Sequence, residues 1–267
     1  MKIMIRSDIE GVTGVTTYAQ AENSVFGKQM LMNDLNACID GLISGGIKDI
    51  VIYDEHTDGR NVDLCSLEHN VRVICGKPPY RPDWGGLDSS FDCMAMVGFH
   101  AKSGVEGALL PHSYSRKNLD IRINGISVGE IGMEAAIAGD FGVPLVFVTG
   151  DSAGMEEARK QIPGVKTVTV KEAMGEFAAE CLSPRESAEL IRKAASTLAD
   201  RSQWPAPFTV PGPVTLEIDL ADCEYREKLR KKFPQYFISE KTVRLTASSV
   251  TAAWADYCKI KSEASKS

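Results

Sequence analysis

The chain of 267 residues is long enough for one large domain, or for one such domain with a small appendage. Its net charge of −6 excludes a broadly basic surface and argues against nucleic acid as the main partner. No apolar run approaches the roughly 20 residues that span a bilayer, and the first residues lack the apolar core of a signal peptide. We therefore expect a cytoplasmic protein that binds neither nucleic acid nor membrane.

The first predicted element is a short buried β-strand over residues 3–5, which leads into Asp8 and Glu10. The carboxyl end of a strand is where open α/β folds place their ligands. Side chains two apart on a strand point the same way, so both carboxylates are expected to face one point. Two anions held this close need a cation or shared protons beside them.

A βαβ unit follows. Apolar residues at helical spacing predict a helix over residues 27–44, and the next strand covers residues 49–53 and runs into His56. Such a unit implies parallel strands with a right-handed crossover. Further strands are predicted over residues 71–75 and 93–97, the second of which leads to His100. Between them, residues 78–86 are rich in Pro, Gly and Trp and predict an irregular segment.

The next stretch predicts a hairpin over residues 119–128 with Asn124 and Gly125 in a two-residue turn. A helix over residues 130–141 begins at Glu130, and a strand over 145–148, a short helix over 155–161 and a strand over 165–170 complete the pattern. We interpret residues 1–183 as an α/β metal-binding catalytic domain with a mostly parallel sheet and helices on both of its faces.

Ser183, Pro184 and Glu186 mark a strong helix start, and this helix is expected to continue to about residue 200. Four prolines between residues 203 and 213 indicate a crossing segment. Strands over 214–220 and 243–246 and helices over 223–233 and 250–261 are predicted after it. We interpret residues 184–267 as a smaller α+β domain that packs on the first.

The candidate chemistry lies at the ends of the predicted strands. His56 and His100 directly follow strands, as Asp8 and Glu10 do, and parallel strands bring their carboxyl ends to one edge of a sheet. Glu130, at the start of its helix, is a fifth candidate. The alternative for Glu130 is a first-turn glutamate that only stabilises the helix dipole.

Imidazole and carboxylate ligands without thiolate favour zinc, with manganese or iron as alternatives. Five ligands exceed the three that a single catalytic zinc usually takes, and they fit two metals that share a carboxylate. Two zinc ions roughly 3.5–4 Å apart can hold a hydroxide and polarise a carbonyl, so hydrolysis of an amide or ester is the expected reaction.

Other kinds of site are not supported. There is no GxSxG nucleophile motif, and the loop at residues 11–14 lacks both the GxGxxG and the Walker A spacing. His69 stands in a polar loop and is expected to be exposed. The seven cysteines are scattered without a CxxC pair, which predicts buried, reduced thiols.

Several separated motifs together resemble the bacterial zinc D-aminopeptidases of the dipeptide-transport type, the M55 peptidases. In chain order they are Ser7-Asp8-Ile9-Glu10-Gly11, Tyr53-Asp54-Glu55-His56, Gly98-Phe99-His100, Pro111-His112-Ser113, Asn124-Gly125 and Val128-Gly129-Glu130. The stretch from residue 61 to 92 matches this family poorly, which leaves the substrate preference open.

The resemblance implies a dinuclear-zinc aminopeptidase that releases N-terminal D-amino acids, such as D-Ala, from short peptides by attack of a metal-bridged hydroxide on the amide. It implies two Zn²⁺ per subunit, with Asp8 as the bridge, and a direct catalytic role for His112. It also implies a ring-shaped homo-oligomer, with a decamer as the candidate size. The implied metal ligands are Asp8, Glu10, His56, His100 and Glu130.

Two alternatives remain open. One is a dinuclear metal amidohydrolase or esterase that acts on another small substrate. The other is a non-catalytic, metal-containing peptide-binding protein. Both would bind zinc, so metal content alone does not separate them from an aminopeptidase, whereas zinc-dependent turnover of a D-amino-acid peptide does.

Overall fold

The computed structural model describes residues 1–22, 24–77 and 85–266. The irregular segment predicted over residues 78–86 lies mostly outside these ranges. The strands are β1 (Lys2–Ser7), β2 (Asp49–Asp54), β3 (Arg72–Ile74), β4 (Cys93–Phe99), β5 (Asn118–Ile123), β6 (Ile126–Val128), β7 (Leu145–Asp151), β8 (Lys166–Gly175), β9 (Ala178–Cys181), β10 (Val214–Leu220) and β11 (Thr242–Ala247). The helices are α1 (Tyr18–Ala21), α2 (Val25–Ser44), α3 (Glu130–Asp140), α4 (Ser152–Gln161), α5 (Pro184–Ala195), α6 (Glu224–Lys232) and α7 (Val250–Ser265).

The larger sheet has seven strands in the order β3-β2-β1-β4-β7-β8-β9. All neighbouring strands in it are parallel except β9, which pairs antiparallel with β8. The chain moves outward from β1 to β2 and β3, then returns to β4 on the other side of β1. The point between β1 and β4 is therefore a topological switch point, where open α/β sheets bind their ligands.

This sheet separates two hydrophobic cores. Along β1, Ile3 and Ile5 face a core that they share with α2 and α5, whereas Met4 faces a core that contains α3, α7 and the smaller sheet. The alternation follows from the two-residue period of a strand. The prediction of a mostly parallel α/β sheet with helices on both faces is confirmed.

The smaller sheet has four antiparallel strands in the order β11-β10-β5-β6. The predicted hairpin is present as β5 and β6, and its turn residues Asn124 and Gly125 have φ values of 47° and 82°, as a type I′ turn requires. This sheet takes strands from both sides of the boundary predicted at residues 183 and 184. The division into two domains stays a prediction.

Capping explains where several helices begin. The side chain of Ser183 accepts a hydrogen bond from the Glu186 amide, so α5 starts where predicted, although it ends at Ala195 and not near residue 200. Helix α4 starts at Ser152, earlier than predicted, because the Asp151 side chain accepts from the Gly154 amide. The short elements α1 and β9 were not predicted.

The cysteine prediction was partly wrong. All seven cysteines lie in the described ranges and are free, and Cys38 and Cys93 are buried. Three cysteines are exposed. Cys65 lies in a surface turn, Cys75 directly follows the edge strand β3, and Cys181 lies on the edge strand β9. No described helix combines the length and apolar character needed to cross a membrane.

Candidate metal centre

The strand-end residues meet at the carboxyl edge of the larger sheet. Asp8 and Glu10 follow β1, His56 follows β2 and His100 follows β4, and each of the four side chains is buried. Glu130 approaches from the first turn of α3 and is also buried. We call these five residues the metal cluster.

Close backbone packing holds the ends of β1 and β4 together. The Asp8 amide donates to the Val97 carbonyl at 2.9 Å, and the Gly11 amide donates to the Gly98 carbonyl at 2.8 Å. A Cβ atom at residue 11 would lie 1.9 Å from the Phe99 carbonyl oxygen, so only glycine permits this approach. The acidic loop is thereby placed directly beside His100.

Asp8 lies between the two cluster histidines. Its Oδ1 atom is 2.9 Å from His56 Nδ1, and its Oδ2 atom is 3.5 Å from His100 Nε2. Glu10 Oε2 lies 3.0 Å from His56 Nδ1, and Glu130 Oε1 lies 3.5 Å from His100 Nε2. Each oxygen of Asp8 therefore belongs to a different group of potential ligands.

These distances fit ligands of a shared cation. Two atoms bound at about 2.0–2.1 Å to one tetrahedral zinc lie roughly 3.3 Å apart. Within the metal cluster, four buried atoms make no hydrogen bond to the described residues, a costly arrangement that a bound cation would relieve. They are Asp8 Oδ2, Glu10 Oε2, His56 Nε2 and His100 Nε2. The residues present thus fit a metal centre.

The electrostatics of the cluster favour positive charge at the imidazoles. Burial raises the pKa of Asp8, but interactions with His100 and His56 outweigh this effect and hold the pKa well below its usual range. Burial lowers the pKa of His56, but Asp8 and Glu10 outweigh it and raise the pKa to about 10. Burial also lowers the pKa of His100, but Asp8 and Glu130 outweigh this effect and raise the pKa well above its usual value. The same carboxylates that raise the pKa values of these histidines would also stabilise a divalent cation.

His112 adjoins the cluster from the loop between β4 and β5. Its ring stacks on the His100 ring, with centroids 4.1 Å apart and an angle of 9° between the planes. Its Nδ1 atom lies 3.0 Å from the Leu110 carbonyl, which accepts its proton. Its Nε2 atom lies 3.6 Å from Glu130 Oε1 and 3.9 Å from Glu10 Oε1. This placement is compatible with either a catalytic role or metal ligation.

The model of the peptidase M55 family, described as D-aminopeptidase, matches residues 1–256. The chain belongs to the peptidase M55 family. A D-aminopeptidase of Bacillus subtilis (strain 168) is 28% identical to this M55 chain over 226 residues, which are 83% of this chain and 82% of that protein.

A solved structure agrees with the family assignment. It is the "Zn-dependent D-aminopeptidase DppA from Bacillus subtilis, a self-compartmentalizing protease", with a TM-score of 0.90 and 26% identity. The similarity covers 100% of this chain and 99% of that chain. The resemblance predicted from the motifs is confirmed, and the M55 chain is an enzyme that hydrolyses peptide bonds.

A cavity of about 460 Å³ opens over the metal cluster of the M55 enzyme, and we call it the site pocket. One wall is formed by Trp254, Cys258 and Lys261, whose spacing places them on one face of α7. These residues were not predicted from the sequence, because nothing local connects α7 to strand ends more than 150 residues earlier. Their helical spacing was the only available signal, and it is also typical of ordinary packing.

Tyr114 is another site residue that was not predicted from the sequence. Its amide donates to Glu130 Oε1 at 2.6 Å, and its hydroxyl donates to Glu134 Oε1 at 2.6 Å. The other oxygen of Glu134 lies 3.3 Å from the buried Arg6 Nη1, which also bonds Glu55 Oε1 at 2.5 Å. This buried network connects Glu130 to the ends of β1 and β2 and so fixes its carboxylate.

Lys171 organises the loop that carries Glu10. Its side chain is buried in β8, and its Nζ atom donates to the carbonyls of Glu10, Val12 and Val15 at 2.6, 2.8 and 2.5 Å. Burial lowers the pKa of Lys171 to about 8, so the ammonium form still predominates at neutral pH. All three of its protons are used by this loop.

We expect Lys171→Met to destabilise the M55 enzyme by about 2–4 kcal/mol, because three buried carbonyls lose their donor. Urea unfolding measures this change. The matched control is Lys166→Met on the same strand, where the one hydrogen bond of the amine to the described residues goes to the Thr197 hydroxyl near the surface. The control should stay within about 0.5 kcal/mol of the parent protein. Equal stability of the two variants would contradict the role given to Lys171.

Proposed function

We propose that this M55 peptidase is a dinuclear-zinc aminopeptidase that releases N-terminal D-amino acids, D-Ala among them, from short peptides. The observation that carries the proposal is the position of Asp8, whose two carboxylate oxygens face two different histidines. The zinc dependence and D-aminopeptidase activity of the Bacillus subtilis relatives support it.

In this proposal Asp8 would be a ligand of both metals. Glu10 and His56 would hold one of them, and His100 and Glu130 would hold the other. His100 Nδ1 donates to the Ala101 carbonyl at 2.9 Å, which leaves its Nε2 lone pair for a metal. When bound, zinc polarises the amide carbonyl and lowers the pKa of a water molecule.

His112 acts beside the scissile amide. Its Nδ1 atom is occupied by the Leu110 carbonyl, so Nε2 is the atom directed towards the carboxylates of the site. Its side chain is 12% exposed and lines the site pocket, whereas His100 beneath it is fully buried. In the protonated form, Nε2 can stabilise the charge on the carbonyl oxygen or donate a proton to the leaving amine.

The preference for D-residues is tested with matched peptides. Hydrolysis of D-Ala-D-Ala and of L-Ala-L-Ala should be compared before chelation, after chelation and after zinc is restored. We expect the D-peptide to be cleaved far faster, with the activity lost on chelation and regained with zinc. Preference for the L-peptide, or cleavage that chelation does not affect, would contradict the proposal.

We also propose that copies of the chain assemble into a closed, ring-shaped homo-oligomer, with a decamer as the candidate size. The self-compartmentalizing character of the Bacillus subtilis relative supports this assembly. Light scattering in solution should then give a mass several times the 29.0 kDa of one chain, and about ten times for a decamer. A monomer at working concentration would contradict it.

A further inference from the structure

Positive charge lines the outer part of the site pocket, although its floor is acidic. The basic residues of the pocket are Lys77, Arg116 and Lys261. Lys77 is already paired, because its Nζ atom lies 3.0 Å from Glu55 Oε2 and also bonds the Glu55 carbonyl. The acidic residues outside the metal cluster are this Glu55, which is also paired with Arg6, and the exposed Glu22.

The other two cations remain available to a ligand. The Arg116 guanidinium lies 4.6 Å from the centroid of the Tyr18 ring and has no carboxylate partner among the described residues. The same ranges contain no acidic partner for the Lys261 amine. Cations in a substrate pocket that no acidic group neutralises are typical of sites that bind an anion.

The helix that carries Lys261 is anchored to the metal cluster. Trp254, seven residues before it on the same face of α7, packs on the Tyr114 ring with centroids 4.5 Å apart. The Tyr114 amide in turn holds Glu130. A second cavity of about 340 Å³ shares Ser115 and Lys261 with the site pocket and is also lined by Lys117, Glu224 and Lys228, and the last two form an ion pair at 3.1 Å. Lys261 therefore lies where the two cavities meet.

A short peptide with its N-terminal residue at the metal cluster carries its own carboxylate close by. Each further residue moves that group by at most about 3.6 Å, so the carboxylate of a dipeptide or tripeptide stays within the pocket region. We propose that Lys261 and Arg116 bind the C-terminal carboxylate of the substrate and so restrict the enzyme to short peptides with a free C-terminus. This inference rests on the proposed function.

The test compares D-Ala-D-Ala with its C-terminal amide. In the parent enzyme we expect kcat/KM to be at least about tenfold higher for the free acid, the size of one lost charge-assisted hydrogen bond. Lys261→Gln and Arg116→Gln should each lower kcat/KM for the acid by about tenfold and leave the value for the amide within about twofold. The control Lys117→Gln, in the second cavity only, should change neither value.

The outcomes separate the two proposals. Equal kcat/KM for acid and amide in the parent enzyme, or an equal loss on both substrates in the variants, would overturn carboxylate recognition while the aminopeptidase function stands. Failure of the zinc-loaded parent to cleave either D-substrate would overturn the proposed function, and the recognition proposal with it. Zinc content, measured for every variant, should stay at the parental value.

Discussion

Asp8→Ala is expected to lose both metal ions and to lower turnover by more than about 10³-fold. The reason is geometric, since Asp8 Oδ1 faces His56 and Asp8 Oδ2 faces His100. A carboxylate shared by two metals, as proposed for Asp8, would contribute to both sites, and a bound metal supplies several kcal/mol of transition-state stabilisation. Metal content per chain by elemental analysis and kcat on a D-Ala peptide measure the two effects.

The matched controls are Glu10→Ala and Glu130→Ala. Glu10 contacts His56 and Glu130 contacts His100, so each substitution should mainly weaken one of the two metals. The two controls should therefore keep about one zinc per chain where Asp8→Ala keeps none. If Asp8→Ala retained one full equivalent, Asp8 would be an ordinary ligand of a single metal and not a bridge.

The second large effect is expected at His112. His112→Ala should keep the parental zinc content and lower kcat by about 10²–10⁴-fold, the usual contribution of a group that transfers a proton in the transition state. The physical reason is that the ring stacks over His100 and directs Nε2 into the pocket while Nδ1 is held by Leu110. Metal analysis and steady-state kinetics on the same preparations test both parts.

His69→Ala is the matched control, because His69 interacts with Asp40, 3.3 Å away, and does not line the site pocket. It should leave both metal content and kcat unchanged. Loss of zinc in His112→Ala would make His112 a metal ligand. Parental turnover in that variant would remove it from the mechanism altogether.

Much of the cluster was predictable from local pattern. Apolar runs of strand length lead into Asp8, His56 and His100. These side chains meet at one edge of the sheet if the strands are parallel, and the βαβ spacing predicted parallel strands. Their convergence follows from the topology, and the structure brings them together. Their assignment as ligands stays a prediction, as does the catalytic role of His112.

The features that were not predicted depend on contacts between distant parts of the chain. The hairpin of β5 and β6 was predicted correctly, but not its pairing with β10, because residues about 95 apart share no local pattern. For the same reason, neither the pocket wall formed by α7 nor Tyr114, whose amide donates to Glu130, could be predicted. The buried cation of Lys171 could not be distinguished in the sequence from a surface lysine. Tertiary structure decides these features.

The most direct test of the account is a zinc titration of the chelated parent enzyme, followed by hydrolysis of D-Ala-D-Ala. Two zinc ions bridged by Asp8 predict that activity reaches its maximum when two equivalents are bound per chain, and that Asp8→Ala gains no activity at any zinc level. Maximal activity at one bound equivalent, or activity that returns in Asp8→Ala, would contradict the dinuclear centre.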